Sequence, residues 1–133
     1  MDNIYKTTTA STSVAANDVI PLTTVTRRKG CSVLSTTNGI LLTKTGYYKI
    51  SGTVTVTAPV AGTVVINAQK NGTDITGITA TETITTATTE TRTIPIEGIV
   101  RVWCGEGQTI LTLFNAGVAV TVLNASVTVM YLS

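Results

Sequence analysis

A run of two-residue alternation between Gly46 and Ala58 constrains the fold more than any other feature of this sequence. Apolar residues or glycine recur at every second position, and hydroxyl-bearing residues with one lysine fill most positions between them. A period of two over this length is typical of a β-strand with one face buried and the other solvated. We therefore expect a strand here, with Tyr48, Ile50 and Val54 on its buried face.

The composition extends this expectation to the whole chain. Of its 133 residues, 58 are threonine, valine or isoleucine, whose branched side chains fit a pleated sheet better than a helix. Helix-rich and coiled-coil folds are thereby excluded. Hydrophobic residues make up 43% and the net charge is +2, which excludes disorder driven by charge. So small a net charge also predicts no strong attraction to nucleic acid or to an anionic membrane.

Turn signals divide the chain into short strands. Asn38-Gly39 and Asn71-Gly72 are hairpin signals between apolar runs, and Gly105-Glu106-Gly107 is a further turn. About eight to ten antiparallel strands result, with no repeat of 20–50 residues. This pattern indicates an all-β sandwich, barrel or jelly roll.

The first 16 residues differ from the rest because they are rich in threonine and serine and lack an apolar period. We expect residues 1–16 to form an extended arm, docked on a partner or poorly ordered, and residues 17–133 to form one domain. The N-terminus lacks the pattern of a signal peptide, which predicts synthesis in the cytosol. No apolar run approaches the roughly 18–20 residues of a membrane span.

The residues that most enzymes use are missing or scattered. Without histidine, the chain has no imidazole base for nucleophilic catalysis, and it has no Cys/His cluster for zinc. We expect no catalytic residue, metal or cofactor, and predict that the chain is not an enzyme. Cys31 and Cys104 are expected to be buried or half-exposed thiols, with a disulfide between them as the alternative. Arg27-Arg28-Lys29 reads as a solvated basic turn, with phosphate or nucleic-acid binding as the minor alternative.

Four motifs, in this order, resemble the tumour-necrosis-factor-like (TNF-like) jelly-roll family, which includes the globular heads of complement proteins. They are Gly46–Ser51, Ala68–Thr73, Gly105–Leu113 and Asn124–Leu132. The nearest resemblance is to bacterial and bacteriophage members, such as the terminal domains of exosporium collagen-like glycoproteins and phage head-decoration or head-fibre proteins. No Gly-X-Y repeat precedes the motifs, which favours a stand-alone virion protein.

The resemblance implies a homotrimer. Surplus apolar residues on strands that already have a core face are candidates for its interface, with the monomer core as the alternative. These residues are Tyr47, Trp103, Phe114, Met130 and Leu132. The start of the arm is the candidate capsid-docking segment, namely Asp2, Asn3, Ile4, Tyr5 and Lys6.

The expected function is therefore that of a bacteriophage virion structural protein, a trimeric decoration or head-fibre protein on the capsid surface. It would be made in the host cytoplasm, with the major capsid protein or another virion protein as partner and with no nucleic-acid or membrane partner. The alternative is an adhesive module that binds a receptor or surface glycan, at a phage tail-fibre tip or on a bacterial surface or spore, through the threonine-rich residues 73–91. The least favoured hypothesis is a carbohydrate-active jelly roll using Glu97 or Glu106.

Overall fold

The computed structural model describes residues 2–106 and 108–133. Within these residues it contains twelve β-strands and no helix, arranged as two antiparallel six-stranded sheets around one core. The predicted all-β sandwich is confirmed. The strand number exceeds eight to ten because the N-terminal segment forms two strands, Asn3–Thr8 and Thr12–Val14, and the basic run belongs to a further strand, Thr24–Lys29. No helix in the described residues is long and apolar enough to cross a bilayer.

Each sheet is built from strands that come from separate parts of the chain. The first sheet contains, in order, β10 (Arg92–Val102), β7 (Gly46–Thr57), β12 (Val120–Tyr131), β1 (Asn3–Thr8) and β4 (Thr24–Lys29), with β2 (Thr12–Val14) also beside β12. The second contains β5 (Val33–Thr36), β6 (Gly39–Leu42), β11 (Thr109–Asn115), β8 (Gly62–Lys70) and β9 (Thr73–Ile84), with β3 (Asp18–Ile20) also beside β11.

The alternating run forms β7 and directs its side chains as predicted. Tyr48, Ile50 and Val54 are fully buried in the core between the sheets. The Tyr48 hydroxyl donates a hydrogen bond to the Lys44 carbonyl at 2.6 Å, so the ring can be buried without leaving its polar end unpaired. Asn71 and Gly72 both have positive φ, at 52° and 83°, as a two-residue hairpin turn requires.

The N-terminal segment corrects the expected division into arm and domain. β1 pairs with β12 on one side and with β4 on the other, so it lies inside the first sheet. Ile4, Lys6 and Thr8 alternate into the core, and the hydroxyl of Thr8 donates to the Pro21 carbonyl at 2.5 Å. The sequence hid this strand because two of the three inward positions hold polar residues. Met1, the first residue of the expected arm, lies outside the described residues.

Most of the threonine-rich segment 73–91 belongs to the long strand β9. The register between β8 and β9 shifts after Asn67, and Ile78 is buried. A Cβ added at Gly98 of β10 would collide with the Ile78 side chain. β9 therefore packs against β10 along one flank of the sandwich, and the absence of a side chain at Gly98 allows this approach.

The basic run forms a strand instead of a turn. Arg27 and Lys29 pair with Tyr5 and Asn3 of β1, and all six residues of β4 are exposed. β4 is an edge of the first sheet, where charged side chains discourage pairing with another chain. The third predicted turn includes Gly107, which lies outside the described residues.

Candidate functional site

Trp103 directly follows β10, and 54% of its surface is exposed. The Arg101 guanidinium carbon lies 3.6 Å from the centroid of the Trp103 ring and 5.3 Å from that of Tyr47. Tyr47 is the neighbour of Arg101 across the β7–β10 pair. Two aromatic rings and a stacked cation are thus gathered at one end of the first sheet, in the geometry of a cation–π contact.

Glu106 fixes the loop that carries Trp103. Its carboxylate accepts hydrogen bonds from the Trp103 backbone N–H at 3.0 Å, from Lys70 Nζ at 3.1 Å and from the Thr109 hydroxyl at 3.2 Å. The Trp103 N–H bond, followed by Lys70, lowers the pKa of Glu106 below its ordinary value of 4.5 against the opposing effect of desolvation. Lys70 Nζ also donates to the Arg101 carbonyl at 3.0 Å, so the loop is tied to β8 and β10.

Two cavities open beside Trp103. One, of about 330 Å³, lies towards Leu42 and Glu106. The other, of about 260 Å³, lies on the flank between β9 and β10, with Asp74 and Arg101 among its lining residues. Trp103 contributes to the walls of both cavities, so the two cavities adjoin at this residue.

None of the five candidate interface residues belongs to the buried core, so the monomer-core alternative is wrong. Tyr47 and Met130 lie on the outer face of the first sheet, and Leu132 follows β12 there, its N–H bonded to the Tyr47 carbonyl. Trp103 lies at the adjoining flank. Phe114 alternates outward from β11, on the second sheet. The structure therefore brings four of the five to one end of the molecule and separates Phe114 from them.

The candidate docking segment is only partly accessible. Ile4 and Lys6 are 0% and 1% exposed, so their side chains cannot contact a capsid, which corrects the expectation for both. The Asp2 carboxylate accepts hydrogen bonds from the Ser32 hydroxyl and backbone N–H at 2.5 and 3.1 Å, and these bonds lower the pKa of Asp2. Asn3 and Tyr5 lie on the outer face of the first sheet, half-buried.

Sequence reasoning missed two polar groups that organise this fold. Lys6 Nζ donates to the carbonyls of Thr36 at 2.8 Å and Gly39 at 3.0 Å. Asn115 is fully buried, and its side-chain amide donates hydrogen bonds to the carbonyls of Ala15 at 3.2 Å and Val118 at 2.9 Å. These bonds hold the turn after β11. The alternation of β11 could have predicted the burial of Asn115, because Asn115 follows Leu111 and Leu113 at every second position. No such alternation of apolar residues indicated that Lys6 is buried.

The thiols and acidic residues are dispersed. Cys31 and Cys104 are free and exposed, so neither is buried and the disulfide alternative is not realised. Among the described residues, no group of three or more histidine, cysteine, aspartate or glutamate side chains is placed to hold a metal.

No protein-family model and no curated protein sequence matches the chain, but solved structures match its fold. Eiger TNF from S. frugiperda superposes with a TM-score of 0.75 at 11% identity, over 99% of this chain and 91% of that chain. The globular domain of zebrafish complement 1qA protein gives 0.72 at 4% identity, over 100% and 98%. PRD1 vertex protein P5 gives 0.60 at 17% identity, over 99% and 97%.

These identities establish the fold and not the function. The similarity extends over nearly all of each chain, including the N-terminal strand β1, which lies outside the motifs in the sequence. The two sheets, their antiparallel pairing and these superpositions agree with the resemblance found in the sequence. The chain therefore has the TNF-like jelly-roll fold shared by complement and cytokine domains and by a PRD1 vertex protein.

Proposed function

We propose that this protein is a bacteriophage virion structural protein that forms a homotrimer and decorates the capsid surface. The observation that carries the proposal is the outer face of the first sheet, which has the character of a contact surface. Similarity to the vertex protein of phage PRD1 supports placing such a fold on a virion.

The centre of this face is uncharged and is formed by hydroxyl-bearing side chains. Ser51, Thr128 and Tyr5 are neighbours across β7, β12 and β1, and Thr53 and Ser126 are neighbours in the adjacent row. We call these five residues the hydroxyl strip. Charged residues are depleted at the centres of protein interfaces, and the serine and threonine residues of the strip are small enough for another chain to approach closely.

Apolar and charged groups surround the strip. Met130 and Tyr47 extend it towards the Trp103 end, while the Lys49–Glu97 ion pair, at 3.4 Å, lies beside it. Closed cyclic symmetry is the usual arrangement of soluble homo-oligomers. Contact through the hydroxyl strip would bury this face, with Tyr47, Met130 and Leu132 as apolar contributors. Phe114, on the opposite sheet, and Trp103, on the flank, are not needed for that contact.

The capsid-docking surface in this proposal is the exposed edge β4, in place of the buried Ile4 and Lys6. Asn3 and the basic residues Arg27, Arg28 and Lys29 line a cavity of about 350 Å³ at this edge. Within the described residues, none of the three basic side chains forms an ion pair. An acidic surface on the capsid protein is the partner that this charge favours.

Co-sedimentation with capsids prepared without this protein tests the proposal. We expect saturable binding that weakens as salt is added, since exposed charges are screened. Arg28→Glu should weaken binding, whereas Lys44→Glu, the same change of charge at an exposed basic residue outside β4, should not. The proposed function would be refuted by the absence of capsid binding, and the β4 docking surface by equal binding of the two variants.

A further inference from the structure

The flank cavity of about 260 Å³ combines an apolar wall with paired polar groups. Trp103, Ile75 and Ile99 supply the apolar surface. Lys70, Thr73, Asp74 and Arg101 supply hydrogen-bonding groups around it. A concave site with an aromatic wall and a few convergent polar groups is the usual form of a small-ligand site.

The polar groups are held in place before any ligand arrives. Asp74 accepts hydrogen bonds from Gln69 Nε2 at 2.8 Å and from Asn67 Nδ2 at 3.2 Å. A carboxylate has about four acceptor positions, so Asp74 retains acceptor capacity for a ligand. Lys70 is held by Glu106, and Arg101 by the Trp103 ring. Groups fixed in this way bind a ligand without the cost of ordering them.

The charges around the cavity cancel. Lys70 is paired with Glu106 at 3.1 Å, and the cavity wall contains one further cation, Arg101, and one further anion, Asp74. An anionic ligand would meet Asp74, and a cationic ligand would meet Arg101. A purely apolar ligand would displace water from Asp74 and Arg101 without replacing its hydrogen bonds, which is unfavourable. The walls therefore select a neutral ligand with several hydrogen-bonding groups.

We propose that this cavity binds a neutral pyranose sugar, as a unit of a surface glycan. A pyranose has an apolar face of C–H groups that can stack on the indole of Trp103, and hydroxyls at its rim that can donate to Asp74 and accept from Lys70. Arg101 lies over the Trp103 ring, and 54% of the Trp103 surface remains exposed. This inference goes beyond the proposed structural role and does not depend on capsid binding.

Trp103 also provides the assay, since it is the single tryptophan of the chain. Its fluorescence is titrated with the methyl pyranosides of glucose, galactose, mannose, rhamnose and N-acetylglucosamine. Sorbitol, which has hydroxyls but no ring face, is the control for nonspecific effects, and galacturonate tests the requirement for neutrality. We expect a saturable change in emission with at least one neutral pyranoside and none with sorbitol.

Variants then locate the binding. Asp74→Asn should weaken binding about tenfold or more, the effect of losing one charge-assisted hydrogen bond. Asp18→Asn, at an exposed carboxylate on β3, should leave binding unchanged. Trp103→Ala should abolish saturation transfer from protein to sugar in NMR, while its circular dichroism melt confirms folding. The proposal is overturned if no pyranoside binds, if sorbitol or galacturonate binds equally well, or if Asp74→Asn binds like the wild type.

Discussion

Lys6, which is 1% exposed, has its ammonium group in the core of the sandwich, where it donates hydrogen bonds to the carbonyls of Thr36 and Gly39. It has no ion-pair partner in the described part of the chain. Burial of a charge without an opposite charge is unfavourable, and this desolvation lowers the pKa of Lys6 below its ordinary value of 10.5. We expect Lys6→Met to change how stability depends on pH.

The sign follows from proton binding. Between the lowered pKa of folded Lys6 and 10.5, the unfolded chain binds more protons than the folded chain, so the free energy of unfolding rises with pH. One group contributes at most about 1.4 kcal/mol per pH unit. Burial raises the pKa of Tyr48 above 10.0. The contribution of Tyr48 to the free energy of unfolding therefore falls as the pH rises past 10.0. The effect of Lys6 is therefore best measured below that point.

Urea denaturation followed by circular dichroism, from about pH 7 to about pH 10, measures the effect. The two carbonyls that Lys6→Met leaves without a donor have the same cost at every pH. Subtracting the variant's free energy of unfolding from that of the wild type should therefore leave a difference that rises with pH. Lys49→Met, at a half-exposed lysine on the outer face, is the control for replacing a lysine by methionine. A flat difference for Lys6→Met would refute the account of a buried, unpaired ammonium.

Three further predictions concern the core and the Trp103 loop. Gly52→Ala should destabilise the fold by about 1–3 kcal/mol or more in urea denaturation, because the added Cβ would collide with the Ser126 carbonyl in the β7–β12 pair. Asn115→Ala should cost about 2–4 kcal/mol in the same assay, since it leaves buried partners unsatisfied at the turn after β11. Trp103 fluorescence should change as pH falls through the lowered pKa of Glu106, below 4.5, because protonation weakens the bond to the Trp103 N–H.

Each of these predictions has a matched control. Thr55→Ser, on the outward side of β7, and Asn124→Ala, at an exposed position of β12, should each have little effect on stability. Glu106→Gln should remove the acid transition in fluorescence, and Glu82→Gln, in β9, should retain it. Equal destabilisation by Gly52→Ala and Thr55→Ser, or by Asn115→Ala and Asn124→Ala, would contradict the packing described for β7 and β11. An acid transition that persists in Glu106→Gln would contradict the role assigned to that carboxylate.

The sequence predicted those elements whose signal is local. The alternation from Gly46 to Ala58 defined β7 and its buried face, and Asn71-Gly72 defined the turn between β8 and β9. The strand β1 was not predicted because Lys6 and Thr8 occupy inward positions, so hydropathy did not reveal its alternation. The burial of Lys6 depends on hydrogen bonds to carbonyls of β5 and β6, about 30 residues further along the chain. A local sequence pattern cannot predict these bonds.

The candidate sites depended on long-range placement. The alternation along β11 predicts that Phe114 points away from the core, on the face opposite to that of Leu111 and Leu113. Only the sheet topology shows that this outer face belongs to the second sheet. The flank cavity likewise joins residues near Lys70, Asp74 and Trp103, from separate strands. Their proximity arises because β9 packs over Gly98 of β10, and this contact has no counterpart in the sequence pattern.

The hydroxyl strip is the basis of the proposed assembly, and the mass of the protein in solution tests it most directly. Sedimentation equilibrium at micromolar concentration should give three times the chain mass of 13.8 kDa for the wild type. Thr112→Arg, on the outer face of the second sheet, should give the same value. Thr128→Arg, in the strip, should give a single chain that remains folded. A wild type with the mass of one chain, or a Thr128→Arg variant that remains trimeric, would contradict the account.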